Sequence, residues 1–186
     1  MSRAGYVLAG GASSRMGQDK ALLELSGQTL LERVAREVRA AACSVTVIAP
    51  LERYSGLGLT VVPDLQPGEG PLGGILTALS VTQSEWNLIV ACDMPDINRA
   101  VLSELLEQAE LRDADCLLGL SSTGRRQPLC AVYHRRCLPV VQAAMEAGVR
   151  KVTAALDGLQ VMEWLPQDAD LFTNLNTPQE WSDHNA

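Results

Sequence analysis

Short runs rich in β-branched and aliphatic residues alternate with longer amphipathic stretches along the whole 186-residue chain. Several of the short runs are apolar at nearly every position, which is typical of parallel strands that are covered on both faces. The alternation predicts βαβ units, and therefore an open, mainly parallel sheet between two layers of helices, a three-layer α/β/α fold. The predicted strands are Gly5–Ala9, Ser44–Ala49, Leu59–Val62, Trp86–Ala91, Ala114–Leu118 and Leu129–Tyr133.

Amphipathic stretches between these runs predict the helices. Leu30–Ala42 repeats apolar residues at spacings of three and four, and Pro71 suits the first position of a helix reaching about Gln83. Further helices are predicted over Arg99–Leu111 and Arg135–Ala147, and a capping box at Thr177–Glu180 predicts a short terminal one. With no repeat or linker in view, residues 1–186 are expected to form a single domain.

Charge and composition exclude several classes of protein. The net charge is −7 and aromatic residues make up 4% of the chain, so neither a basic surface nor a base-stacking platform for nucleic acid is expected. No apolar stretch has the length of a membrane span, and the N-terminus lacks the apolar core of a signal peptide. Five cysteines without a CxxC pair favour reduced thiols. We therefore expect a cytoplasmic protein that binds neither nucleic acid nor membrane.

A glycine-rich segment that contains two basic residues directly follows the first predicted strand. Gly10 and Gly11 allow the backbone to approach a ligand, and successive N–H groups in such a turn form a concave site for phosphate oxygens. Arg15 and Lys20 supply positive charge for the same anion. The segment is not a P-loop, because Gln18 and Asp19 separate Gly17 from Lys20, whereas a P-loop lysine directly follows its glycine. A tight turn with solvated charges is the alternative interpretation.

A carboxylate stands at the end of the most apolar predicted strand. Asp93 follows Trp86–Ala91, and Pro95 stiffens the turn after it. A single carboxylate in this position can hold one Mg²⁺ while water and phosphate oxygens complete the coordination. The same side chain could instead cap the turn into the next helix.

A second glycine-rich segment formally matches a dinucleotide-binding pattern. Gly68, Gly70 and Gly73 give GxGxxG, and Asp93 follows about 20 residues later. Against this interpretation, five residues including Pro63 and Pro67 separate the preceding strand from the first glycine, whereas a dinucleotide fold needs the turn to follow its strand at once.

Four motifs together resemble one known family, the molybdenum cofactor guanylyltransferases, within the nucleotide-sugar-type nucleotidyltransferases. Leu8–Gly27 matches LAGGxSxRMGxDKxLLxxxG, and Cys92–Pro95 matches CDxP. The loop after Asp64 matches PGxGPLxG, and Asn174–Glu180 is similar to NxNTPEE. Ile48 departs from the pattern, since some relatives carry an asparagine there that is implicated in nucleotide binding.

The resemblance implies a Rossmann-like nucleotidyltransferase sheet and the transfer of GMP from Mg²⁺-GTP to the terminal phosphate of molybdopterin, with release of pyrophosphate. It assigns catalysis to Arg15, Lys20 and Asp93, with Asp93 also the Mg²⁺ ligand. The acceptor would lie near Asn174 and Asn176. Nucleotide binding is assigned to Leu8, Ala9, Gly10, Gly11, Lys20, Asp64 and Asp93.

Several alternatives stay open from sequence. A related enzyme could use CTP or another phosphate acceptor, and Gly68–Gly73 could belong to an NAD(P)-dependent oxidoreductase. A non-catalytic nucleotide-binding protein would bind GTP and release no pyrophosphate. Arg125, Arg126, Arg150 and Lys151 could add charge to an acceptor pocket, although exposed basic residues are usually solvated. Transient contacts are expected with proteins that supply the cofactor or mature molybdoenzymes.

Overall fold

A computed structural model describes residues 1–10, 19–25 and 27–172 of the chain. The strands in this part are β1 (Arg3–Leu8), β2 (Glu24–Leu25), β3 (Gln28–Thr29), β4 (Thr46–Ile48), β5 (Val61–Val62), β6 (Trp86–Ala91), β7 (Cys116–Leu120), β8 (Arg126–His134) and β9 (Val161–Trp164). The α-helices are α1 (Leu30–Ala42), α2 (Leu51–Tyr54), α3 (Pro71–Val81), α4 (Arg99–Arg112), α5 (Leu138–Glu146) and α6 (Val152–Ala155).

Seven of these strands form one sheet in the order β5-β4-β1-β6-β8-β7-β9, while β2 and β3 form a separate antiparallel hairpin. β1 pairs in parallel with both β4 and β6, and the pairs β4–β5 and β7–β9 are also parallel. β8 runs antiparallel to β6 and β7 because only a short turn returns the chain from β7. The mainly parallel sheet predicted from sequence is confirmed.

Helices cover both faces of the sheet, so the predicted three layers are present. α1 and α4 pack on one face, in a core that includes Val34, Val38 and Leu105. α3, α5 and α6 pack on the other face, with Leu72 and Val141 in a second core. All six side chains of β6 are buried between the two layers, which is why its sequence shows no polar alternation.

Differences from the predicted elements are local. The helix expected over Arg135–Ala147 begins as a 3₁₀ turn, Arg135–Cys137, and α5 starts at Leu138 with Pro139 in its first turn. α3 ends two residues earlier than expected. The strands β2, β3 and β9 were not predicted, because two to four residues are too few to show a period. The helix predicted from Thr177 lies outside the described residues, and the single domain over 1–186 stays a prediction.

None of the helices in the described part of the chain has the length and apolar character needed to cross a bilayer.

The order of the strands locates a crevice. β1 continues toward β4 on one side of the sheet, whereas β6 continues toward β7 on the other side. Such a change of direction between neighbouring parallel strands opens a crevice beyond their carboxyl ends. The segments that follow Leu8 and Ala91 therefore lie beside one another at this edge.

Candidate active site

Backbone hydrogen bonds hold three strand ends together at the edge of the sheet. Leu8 pairs with Ala91, and the N–H of Cys92 donates to the carbonyl of Leu8 over 3.1 Å. The N–H of Ala9 donates to the carbonyl of Ile48, over 3.0 Å. Pairing thus continues beyond the strands and fixes the backbone on which the cleft is built.

A cleft of about 570 Å³ opens at these strand ends, within the usual volume range of small-molecule sites. The predicted residues that line it are Leu8, Ala9, Gly10, Lys20, Asp64 and Asp93, so the structure brings them into one place. The others that line it are Asp19, Ala21, Ile48, Gly68, Gly70, Pro71, Gly74, Ala91, Cys92 and Leu129. Gly11, Arg15, Asn174 and Asn176 lie outside the described residues, so their predicted roles stay predictions.

Within the described part of the chain, one carboxylate oxygen of Asp93 lacks a hydrogen-bond partner. Its Oδ1 is shielded from solvent, and no residue in the described ranges donates a hydrogen bond to it. Burial raises the pKa of this carboxyl group, and the positive charge of the nearby Lys20 acts in the opposite direction. An ionised carboxylate here is under-satisfied until a cation or a donor binds beside it.

Lys20 begins a 3₁₀ turn, Lys20–Leu22, that Asp19 caps. The Ala21 N–H donates to Oδ1 of Asp19 over 3.1 Å, and the Tyr54 hydroxyl donates to Oδ2 over 2.6 Å. The Arg53 guanidinium lies 3.8 Å from the same Oδ2, in a mostly exposed ion pair of little energetic weight. The lysine is therefore presented to the cleft by a turn whose cap is held from a second element.

The second glycine segment forms the opposite wall. Oδ1 of Asp64 accepts hydrogen bonds from the Thr77 hydroxyl over 2.7 Å and from the Gln66 N–H over 3.0 Å. A Cβ atom at Gly73 would lie 2.9 Å from the carbonyl oxygen of Gln66, so the loop packs directly against α3 and only glycine fits there. Asp64 thus shapes the loop as well as lining the cleft.

The glycines of this segment do not lie where a dinucleotide-binding fold requires them. β5 ends at Val62, and Gly68 is separated from it by five residues. Gly70 precedes α3, and Gly73 already lies within that helix. The turn does not follow its strand at once, as a dinucleotide fingerprint requires.

Among the lining residues that were not predicted as site residues, Asp19, Leu129 and Ile48 show what the sequence could not reveal. In the sequence, Asp19 is only one residue of the Asp19–Lys20 motif, and the motif does not predict its hydrogen bond with Tyr54. Leu129 reaches the cleft because antiparallel pairing sets Val90 opposite Cys130, and sequence did not reveal that strand order. Ile48 lines the cleft with a buried side chain, and its carbonyl accepts a hydrogen bond from the Ala9 N–H, so this position offers no side-chain amide to a ligand.

Two basic residues considered for an acceptor pocket have acidic partners elsewhere. Arg150 forms an ion pair with Glu69, and Arg126 forms one with Glu163. Neither arginine lines the cleft.

Cys92 lines the cleft, but its thiol is unsuited to act as a nucleophile there. Burial and the neighbouring Asp93 raise the pKa of Cys92 to about 12, so the thiol is protonated and a poor nucleophile near neutral pH.

In the ranges 1–10, 19–25 and 27–172, no group of three or more His, Cys, Asp or Glu residues is arranged to hold a metal ion. A metal bound by one oxygen of Asp93 would have further coordination positions open to substrate oxygens and water.

Comparison with protein families finds a match to the MobA-like NTP transferase domain over residues 5–160. A protein of Synechococcus elongatus, named probable molybdenum cofactor guanylyltransferase, is 35% identical over 97% of each chain. A protein of Nostoc with the same name is 37% identical, covering 94% of this chain and 86% of its own.

Among solved structures, molybdopterin-guanine dinucleotide biosynthesis protein A of Archaeoglobus fulgidus superposes with a TM-score of 0.84 at 24% identity. The match covers 98% of this chain and 96% of the other. At that level of identity, the likeness shows a shared fold.

We predict that Gly10→Ala weakens nucleotide binding. Gly10 has a φ of +91°, and a Cβ atom there would lie 2.6 Å from Cδ of Pro50, so the backbone must move. Strain at positive φ alone costs about 1–2 kcal/mol, and the clash adds to it. Thermal unfolding and GTP titration of the variant should show a lower Tm and an affinity at least about tenfold lower.

Gly27→Ala is the matched control. Gly27 has a φ of +79° with no atom within 4 Å of the added Cβ, so this variant carries the backbone strain without the clash. It should lose stability and keep its affinity for GTP. Equal GTP affinities for the two variants would contradict the close approach of Gly10 to the nucleotide.

Proposed function

The chain belongs to the MobA-like NTP transferase family, and on this basis we propose that it is a molybdenum cofactor guanylyltransferase. The reaction transfers GMP from GTP to the terminal phosphate of the molybdopterin cofactor. A new P–O bond forms between that phosphate and the α-phosphorus of GTP. The bond between the α-phosphorus and the bridging oxygen breaks, and its electron pair leaves with pyrophosphate.

One observation carries the proposal: the two segments that matched nucleotidyltransferase motifs independently in sequence meet in a single cleft. Lys20 comes from the first and Asp93 from the second, 73 positions later in the chain, yet both line the same 570 Å³ space. Full-length relatives at 35% and 37% identity are named for guanylyl transfer to the molybdenum cofactor. A cleft lined by the Lys20 ammonium and by the half-buried carboxylate that follows β6 suits a Mg²⁺-bound triphosphate.

Phosphoryl transfer of this kind needs positioning and charge stabilisation more than covalent chemistry. Ala9 and Gly10 line the cleft just beyond the end of β1. The Ala9 N–H is bonded to the Ile48 carbonyl, so Gly10 is the position whose N–H can contact a phosphate oxygen. Lys20 offsets the charge of the triphosphate and of the departing pyrophosphate, and Arg15 and Gly11 are proposed to assist it. No general base is required, because the attacking phosphate is ionised near neutral pH.

Asp93 fits a divalent cation. Its Oδ1 lacks a donor in the described ranges, and its carboxylate lines the cleft beside Lys20. Carboxylate and phosphate oxygens are the ligands that Mg²⁺ prefers. When bound, Mg²⁺ supplies charge neutralisation for the phosphates. Asp93 would hold it there.

The remaining assignments follow from the shape of the cleft and from the family motifs. Asp64 keeps its Oδ1 in the loop and can present Oδ2 to the guanine or the ribose. Asn174 and Asn176 are proposed to contact the acceptor. The cytoplasm is the proposed location, and proteins that supply molybdopterin or mature molybdoenzymes are the proposed transient partners.

The reaction is tested by pyrophosphate release from each of the four ribonucleoside triphosphates, with and without molybdopterin. We expect release with GTP only when both Mg²⁺ and molybdopterin are present, because the acceptor phosphate is the nucleophile. A preference for CTP would move the chain to a cytidylyl-transferring branch of the superfamily. Binding of GTP with no pyrophosphate under any condition would contradict enzymatic function.

Asp93→Asn should separate activity from stability. The substitution keeps the shape of the side chain and removes its charge, so GMP transfer should fall by about 10²–10³-fold. The Tm should not fall, since an under-satisfied buried carboxylate is replaced by a neutral amide. Asp168→Asn, at an exposed aspartate outside the cleft lining, serves as the control with unchanged transfer. Full activity of Asp93→Asn would remove Asp93 from the proposed metal site.

A further inference from the structure

Tyr54 lies outside the cleft lining, yet its hydroxyl contacts the residue that precedes the proposed phosphate-binding lysine. The side chain is fully buried in the core between α1, α4 and the sheet. Its hydroxyl donates to Oδ2 of Asp19 over 2.6 Å. Because the ring is fixed by packing on all sides, the hydroxyl has a fixed position, and a buried hydroxyl requires a partner.

Asp19 distributes its two oxygens between two elements. Oδ2 accepts from Tyr54, and Oδ1 accepts from the Ala21 N–H, capping the 3₁₀ turn that begins at Lys20. The backbone of Lys20 therefore lies between two fixed neighbours. Asp19 is bonded to the buried Tyr54, and the Ala21 N–H is bonded to Asp19. The turn is only three residues long, so its own hydrogen bonds supply little rigidity.

The segment that carries Tyr54 also backs the other end of the glycine loop. Pro50 precedes α2 and lies so close to Gly10 that a Cβ atom would clash with its ring. Residues Pro50–Tyr54 therefore contact both described flanks of the segment 11–18, Gly10 on one side and Asp19 on the other. One short segment after β4 thus supports both sides of the predicted phosphate site.

Charge gives a second reason for holding Asp19 in place. Its carboxylate lines the same cleft as Lys20, where phosphates are proposed to bind. Hydrogen bonds from Tyr54 and Ala21, with the Arg53 guanidinium nearby, stabilise the negative charge away from the ligand. A carboxylate released from these donors could rotate toward the Lys20 ammonium and compete with phosphate for it.

We propose that Tyr54 is a positioning residue for GTP: its buried hydroxyl holds Asp19 so that Lys20 is presented to the triphosphate. This role rests on the proposed function, since it concerns the phosphates of the same nucleotide. Burial and the neighbouring Asp19 raise the pKa of Tyr54 well above its usual value, so the phenol remains a donor throughout the neutral range.

Tyr54→Phe removes the hydroxyl and keeps the ring. Loss of a hydrogen bond to a charged acceptor should weaken GTP binding and lower kcat/KM for GTP by about tenfold. The affinity for guanosine, which has no phosphates, should be unchanged. Tyr133→Phe is the matched control, because it also deletes a buried hydroxyl, one that donates to the Pro128 carbonyl over 2.7 Å. That control should lose stability to a similar extent and keep wild-type GTP affinity.

A double-mutant cycle on GTP affinity tests whether Tyr54 acts through Lys20. In a Lys20→Ala background, Tyr54→Phe should cause no further loss, since the group that it positions is absent. Additive losses, or an equal loss of guanosine and GTP affinity, would show a general structural effect and overturn the proposal. Unchanged GTP affinity in Tyr54→Phe would overturn it as well.

Different results would contradict the proposed reaction and the positioning role of Tyr54. If the wild type transfers no GMP, the proposed reaction is wrong, whatever the binding cycle shows. If the wild type transfers GMP and Tyr54→Phe behaves as Tyr133→Phe does, only the positioning role is wrong.

Discussion

Parallel pairing between β1 and β6 sets Leu8 beside Ala91, and the hydrogen bond from the Cys92 N–H to the Leu8 carbonyl carries that pairing past the end of both strands. The chain leaves β1 and β6 in opposite directions along the sheet, which opens a crevice beyond this junction. Gly10 and Asp93 follow directly from the paired residues. The distance between the backbone proposed to contact phosphate and the carboxylate proposed to bind the metal is therefore set by the register of two buried strands.

The cleft is lined by the Lys20 ammonium and by acidic side chains. The chain carries a net charge of −7, and three carboxylates, Asp19, Asp64 and Asp93, line the cleft where an anion is proposed to bind. Asp19 is stabilised by the Tyr54 hydroxyl and the Ala21 N–H. Among the described residues, none donates a hydrogen bond to Oδ1 of Asp93, and burial raises the pKa of this carboxyl group. Asp19 is thus satisfied by hydrogen bonds within the protein, while Asp93 is proposed to be satisfied by a cation that binds with the nucleotide.

Sequence patterns predicted the sheet, its mainly parallel order and most helices, because buried strands and amphipathic helices leave clear periods in the chain. α1 spans Leu30–Ala42 as its apolar spacing indicates. The motifs likewise placed Lys20, Asp64 and Asp93 among the candidates that the cleft brings together. Sequence did not reveal contacts that depend on strand order or on single hydrogen bonds. Leu129 reaches the cleft through antiparallel pairing, and the bond between Tyr54 and Asp19 joins residues 35 positions apart.

The proposed mechanism requires that Asp93 binds a divalent cation together with the nucleotide phosphates at the junction of β1 and β6. A crystal structure of the protein with a non-hydrolysable GTP analogue and Mn²⁺, with anomalous data collected for the metal, tests it directly. The claim predicts one strong anomalous peak within about 2.5 Å of a carboxylate oxygen of Asp93 and in contact with phosphate oxygens. A peak held by other residues, or triphosphate bound away from Asp93 and Lys20, would contradict it.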